Sequence, residues 1–186
     1  MTTRKKPDLY NRYPVSSVLI YNGTTSAHFV LGGIGIILGY GSWVGYSLGA
    51  LYLAFSFIEM YVYMPMRVCC NCVYYRLENS LCISGLNLVS RLVAKEGNVR
   101  DFGNRAKGPL CPNNLYLVSL AAPIIALVVA LILNFYLPVL VILLTLAGLL
   151  VFRFFVVFPK LACIHCRGQN VCPQAQAMGF GKGQPV

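Results

Sequence analysis

Two long apolar tracts, from about Tyr21 to Met64 and from Leu115 to Phe158, constrain this chain more than anything else in it. Each is about twice the roughly 20 residues that carry one helix across a bilayer. In hydrocarbon every backbone N–H and C=O needs a partner inside its own segment, so tracts of this kind form helices, and at this length each must turn back once. The turns are marked. Gly39, Tyr40, Gly41, Ser42 and Trp43 interrupt the first tract, and Asn134, Phe135, Tyr136 and Pro138 the second, mixing turn formers with aromatics that favour the membrane–water boundary. Four spans are expected, near 22–40, 44–64, 116–133 and 138–158. Composition agrees: 58% apolar residues, 11% charged residues and a mean hydropathy of +0.68 lie outside the range of soluble domains. No secretory leader is expected, because the first apolar run starts late and continues into a second span.

The basic residues set the expected orientation. Arg4, Lys5, Lys6 and Arg12 precede the first span. Arg67, Arg76, Arg91, Lys95, Arg100, Arg105 and Lys107 lie between the hairpins, and Lys160, Arg167 and Lys182 follow the last span. The two hairpin turns carry no basic residue. By the positive-inside rule both termini and the central loop are cytoplasmic, as in a multi-pass protein of a prokaryotic plasma or inner membrane. The net charge of +10 then serves topology and attraction to anionic lipid. No nucleic-acid role is expected, since the basic residues lack the interleaved aromatics of a nucleic-acid module.

The expected fold is therefore an all-α integral membrane protein in five segments. A basic cytoplasmic N-terminal segment (1–21) leads into a first transmembrane hairpin (22–64). A cysteine-rich cytoplasmic loop (65–115) connects it to a second transmembrane hairpin (116–158), and a cysteine-rich cytoplasmic tail (159–186) follows. Within the loop, Leu86, Leu88, Val89, Leu92 and Val93 form an apolar stripe opposite Asn87, Arg91 and Lys95, which predicts a short interfacial helix.

The hairpins look duplicated in parallel. "PMRVCCNC" at 65 to 72 and "PKLACIHC" at 159 to 166 share Pro-x3-Cys-x2-Cys at an offset of 94 residues. Glu59 and Arg153, the charges inside the expected spans, differ by the same 94 and stand six residues before Pro65 and Pro159. They are expected at one depth on symmetry-related helices, paired as an intramembrane ion pair, since a buried charge is costly without a partner. A proton or quinone site at Glu59 is the competing reading. The prolines are expected to end their helices. Gly35, Gly39, Gly41, Gly45 and Gly49 are expected to let the first two helices approach closely.

All eight cysteines, Cys69, Cys70, Cys72, Cys82, Cys111, Cys163, Cys166 and Cys172, fall on one face of this topology. The cytoplasm keeps thiols reduced, which points to metal binding before disulfides. Cys-x2-Cys lets two sulfurs of one turn converge, and two such turns supply the four soft ligands of an iron–sulfur cluster or a zinc ion. The partition stays open. Cys69, Cys72, Cys163 and Cys166 can join across the symmetry axis, leaving Cys82, Cys111, Cys172 and Cys70 for a second centre, or each repeat can keep its own. Cys111-Pro112 and Cys172-Pro173 are similar to the end of bacterial ferredoxin runs, although no stretch matches that spacing, and iron–sulfur is favoured over zinc. His165 is a candidate extra ligand or outer hydrogen-bond donor. Covalent haem is not indicated, since neither turn reads Cys-x-x-Cys-His.

Paired carboxylates, phosphate loops and serine–histidine pairs are missing. The expected function is that of a membrane-embedded subunit of a larger complex. One or two cysteine-ligated centres at the cytoplasmic surface would pass electrons to or from a membrane carrier such as a quinone. A zinc-stapled assembly subunit and a thiol- or metal-handling protein are the alternatives.

Overall fold

The computed structural model describes residues 8–108 and 110–180; Arg4, Lys5, Lys6 and Lys182, and the side chain of Arg105, lie outside that description. Among the described residues the chain is helical, with one isolated bridge between Arg12 and Leu81. The long helices are α1 (Val15–Tyr40), α2 (Trp43–Ile58), α6 (Pro112–Leu133) and α7 (Leu137–Phe152). Short ones, α3 (Met64–Arg67), α4 (Val73–Arg76), α5 (Leu86–Val93) and α8 (Pro173–Ala177), gather at one end. Gly41 closes α1 in the left-handed region, φ 52°, and its N–H bonds to the Ile37 carbonyl, so only Gly41 and Ser42 separate α1 from α2.

Three helical tracts among the described residues are long and apolar enough to cross a membrane: Trp43–Asn71, Pro112–Leu133 and Leu137–His165. The N-terminal half of α1 carries Asn22, Thr24, Thr25, Ser26 and His28, and α1 is not among the three. The outer surface is strongly apolar, and several polar side chains are buried within the largely apolar interior, unlike in a water-soluble domain. Val30, Ile34, Leu38, Leu51, Ile132, Leu144 and Phe155 are exposed, whereas Thr25, His28, Ser56, Glu59, Ser119 and Arg153 are buried.

Helix α1 lies at the centre, packed on α2, α6 and α7. Small residues make these contacts possible. A Cβ on Gly45 would stand 2.9 Å from the Ile37 carbonyl oxygen, and one on Gly49 3.0 Å from that of Gly33, so α1 and α2 meet backbone to backbone there. Gly35 and Gly39 do not serve this contact, contrary to expectation. They face Leu127 and Ala130 of α6, and the two hairpins touch through them. One buried cluster, with Ile36, Tyr52, Leu127, Val139 and Leu146, fills the bundle toward the hairpin turns. The other, with Phe29, Met60, Leu120, Phe158 and Cys163, fills it toward the cysteines.

Neither Pro65 nor Pro159 ends its helix. The α2 tract continues through a π-helical segment, Glu59–Tyr63, into α3 with Pro65 inside it, and the α7 tract through Arg153–Ala162 with Pro159 inside it. A π segment loosens the hydrogen-bond register just where a proline withholds a donor, so the chain absorbs the ring and stays helical. The succession recurs at the offset of 94: α2 and α7 begin at Trp43 and Leu137, the π segments at Glu59 and Arg153, and 3-10 turns at Cys69 and Cys163.

Helix α5 forms as expected, with most of its apolar stripe turned away from the protein. Leu88, Val89, Leu92 and Val93 are exposed, Leu92 at 87%, while Leu86, Asn87 and Ser90 are buried. The polar side turns inward because the loop it organises has carbonyls to satisfy. Arg91 Nε donates to the Tyr75 carbonyl at 2.9 Å, and its Nη2 to Tyr74 O at 3.0 Å, Ser80 Oγ at 3.1 Å and the Leu77 carbonyl. Ser90 Oγ donates to the Pro65 carbonyl at 2.7 Å. Arg91→Lys keeps the charge and loses the planar fork, so it is expected to destabilise the fold by about 2 kcal/mol, read as a lower midpoint of thermal unfolding in detergent.

Candidate functional site: a thiol-lined cavity

The 3-10 turns Cys69–Asn71 and Cys163–His165 end in extended residues, Cys72 (φ −82°, ψ 148°) and Cys166 (φ −77°, ψ 128°). Each places its two cysteines side by side at the end of a long helix. Between the turns lies a cavity of about 170 Å³ bordered by Cys69, Cys72, Cys82, Cys163, Cys166 and Cys172. These cysteines come from both Cys-x2-Cys elements, the central loop and the tail. Toward the bundle the wall turns apolar and aromatic, with Tyr21, Met60, Met64, Tyr116 and Phe158.

Cys70 and Cys111, both expected as ligands, do not border this cavity. Cys70 Sγ donates to the Met66 carbonyl at 3.1 Å, and Cys111 caps α6 by accepting from the Asn114 N–H at 3.4 Å. No disulfide forms among the described cysteines. Among the described residues, no three Cys, His, Asp or Glu side chains are gathered into a shell that could hold one metal ion. Six cysteine residues border this one cavity without closing into such a shell.

A short N-terminal strap locks the two turns together. Tyr13 donates its hydroxyl to the Ala162 carbonyl, just before the second turn, and its N–H to Leu81 O at 2.9 Å in the central loop. Tyr10 stacks on His165 at 4.3 Å between ring centroids, and His165 Nδ1 bonds the Asp8 carbonyl at 2.8 Å. The Tyr74 hydroxyl donates to Tyr10 O at 2.7 Å and accepts from the Arg167 N–H at 3.3 Å. Burial first, and then the nearby Cys166, push the phenols of Tyr13 and Tyr74 well above the ordinary tyrosine range. Both stay neutral donors at any physiological pH. Tyr10, Tyr13 and Tyr74 carry no periodic signal; the tyrosines of "LYNRYP" just ahead of the first helix are the hint that could have found them.

Glu59 and Arg153 are both buried, at 3% and 2% exposure, and each opens a π segment. The expected ion pair between them is not formed. Arg153 Nη1 donates to Thr25 Oγ1, whose hydroxyl passes on to the Tyr21 carbonyl at 2.7 Å. The guanidinium lies 4.8 Å from the Tyr21 ring centroid, 5.2 Å from Phe158 and 5.3 Å from Tyr116, where the ring faces attract a cation. The physical reason is in the packing. The Glu59 segment packs on α6 and the Arg153 segment on α1, so the arginine is held by α1 and its rings, away from the carboxylate. His28, near them, is tied through Nε2 to the Leu120 carbonyl at 3.0 Å.

Set against protein-family models, curated proteins and solved structures, the chain shows no significant match to any of them.

Proposed function

We propose that this is a membrane-embedded subunit that holds a cysteine-ligated iron–sulfur centre at one membrane surface and passes electrons between a protein partner and a carrier in the bilayer. The observation that carries the reading is the convergence of six cysteines from four separate chain segments on one cavity. When bound, such a cluster supplies one-electron exchange. Cys69, Cys72, Cys163 and Cys166 hold it from the two matched turns. Cys82 and Cys172 stand ready as substitutes or as ligands of a second centre. The Tyr10–Tyr13 strap fixes the spacing of the turns and closes the cavity wall. A tetrahedral zinc with Zn–S near 2.3 Å needs its sulfurs about 3.8 Å apart, whereas a multi-iron cluster suits thiols set wider round a cavity.

The architecture around the site supports the rest of the reading. The recurrence of α2, its π segment and its 3-10 turn at a constant offset fits a parallel duplication of two hairpins. Helix α1 makes the fourth span. Thr24 and Thr25 return their hydroxyls to the Ile20 and Tyr21 carbonyls, Thr25 and His28 are buried, and Val30, Ile34 and Leu38 face outward. The basic segments put the thiol face and both termini on the cytoplasmic side, against anionic lipid. There the exposed Leu88, Leu92 and Val93 of α5 dip into the leaflet. The aromatic and methionine wall offers a quinone ring a route from the bilayer to the cluster.

Purified anaerobically in detergent, the protein is expected to carry iron and acid-labile sulfide in equal amounts and to show a broad visible absorption that bleaches on reduction. Colourless protein with stoichiometric zinc would show a structural staple instead, and metal-free protein with titratable thiols would remove both metal readings.

A further inference from the structure

The buried interior holds a carboxyl group with nothing to bond. Both oxygens of Glu59 lack a hydrogen-bond partner, at 3% exposure, inside a tract able to span the membrane. An ionised carboxylate left so costs several kcal/mol in desolvation, whereas the protonated acid costs far less. The remaining charged or titratable groups in this region do not answer it. Arg153 is bound to Thr25 and aromatic rings, His28 is tied to the Leu120 carbonyl, and Tyr21 and Tyr116 stand against the arginine. Intramembrane ionisable groups are functional by default, and a single π turn in an α-helix, such as Glu59–Tyr63 which Glu59 opens, is a frequent mark of a functional position.

A way in exists. Met60 and Met64 of the same tract line the thiol cavity, and so does Tyr116, whose ring centroid lies 5.3 Å from the Arg153 guanidinium. We propose that Glu59 is an intramembrane proton-binding site, holding one proton on its carboxyl group in the resting protein and exchanging it with the thiol-lined cavity past Tyr116. In the exchange the carboxyl O–H bond breaks, the proton leaves to water in the cavity, and the carboxylate keeps the electron pair. The proposal does not depend on any metal at the thiols.

Infrared spectroscopy of the full-length protein in lipid bilayers tests it across mildly acidic to alkaline pH. A carbonyl band of a protonated carboxylic acid is expected in the wild type, absent from Glu59→Gln, and lost reversibly as pH rises. Should Glu59→Gln fail to fold, carbodiimide, which couples to protonated carboxyls, is applied to the wild type. Mass spectrometry is then expected to find Glu59 labelled at low pH and progressively less at high pH. A carboxylate band with no labelling at any pH means an ionised Glu59 paired with arginine and overturns the proposal. An acid band that persists to the alkaline limit overturns it as well, since that proton never exchanges.

Discussion

Replacing any one of Cys69, Cys72, Cys163 or Cys166 with serine is expected to cost the purified protein most of its iron and visible absorption. Cys70→Ser and Cys111→Ser are expected to retain both. The contrast follows from position. The first four stand in matched turns on the cavity, and a serine hydroxyl is a hard, high-pKa donor that replaces a thiolate poorly on a soft metal. Cys70 spends its sulfur on the Met66 carbonyl and Cys111 on the cap of α6, a contact worth about 1 kcal/mol of helix stability that serine also makes. Cys82→Ser and Cys172→Ser then report the partition: unchanged iron assigns one centre to the two turns, and loss of half assigns a second centre to the loop and tail. Loss of metal from Cys70→Ser with retention in Cys69→Ser would reverse the assignment.

Gly45→Leu is expected to cost about 3 kcal/mol or to prevent folding, whereas Gly148→Leu is expected to change stability little. A Cβ at Gly45 meets the Ile37 carbonyl oxygen at 2.9 Å and Tyr40 Cβ at 3.2 Å, and since the first is backbone, only separation of α1 from α2 relieves it. Nothing lies within 4 Å of a Cβ at Gly148 on α7, so that variant controls for the altered helix propensity. Thermal unfolding in detergent measures both, and equal midpoints would refute the close contact.

The parts of this fold that long-range periodicity and composition determine could be read before the structure was seen. The hairpin breaks at Gly41 and at 134–136, the matched Cys-x2-Cys turns, and the common register of Glu59 and Arg153 all follow from hydropathy and spacing. What could not be read depends on choices between nearly equal local energies. Whether Arg153 meets Glu59 or Thr25 turns on the rotation of a π segment, and hydropathy does not encode that rotation. The prolines look like helix ends, since the slack that accommodates them lies a turn upstream. The amphipathic stripe of α5 is visible, but which side faces the protein is set by the unfilled carbonyls of Tyr74, Tyr75 and Leu77, which no pattern announces. The strap is invisible for a simpler reason: an extended segment bonded to distant loops leaves no periodic trace.

The strap also dictates an order of events. Tyr13 meets Ala162 across 149 residues and Asp8 meets His165 across 157, so the first described residues are latched by a turn that is synthesised long after them. Until the second hairpin has been delivered to the bilayer, Asp8 to Tyr13 holds only its bonds to Tyr74 and Leu81 of the central loop, and Cys163, Cys166 and Cys172 are missing from the cavity. Any loading of the proposed centre would therefore follow insertion of both hairpins.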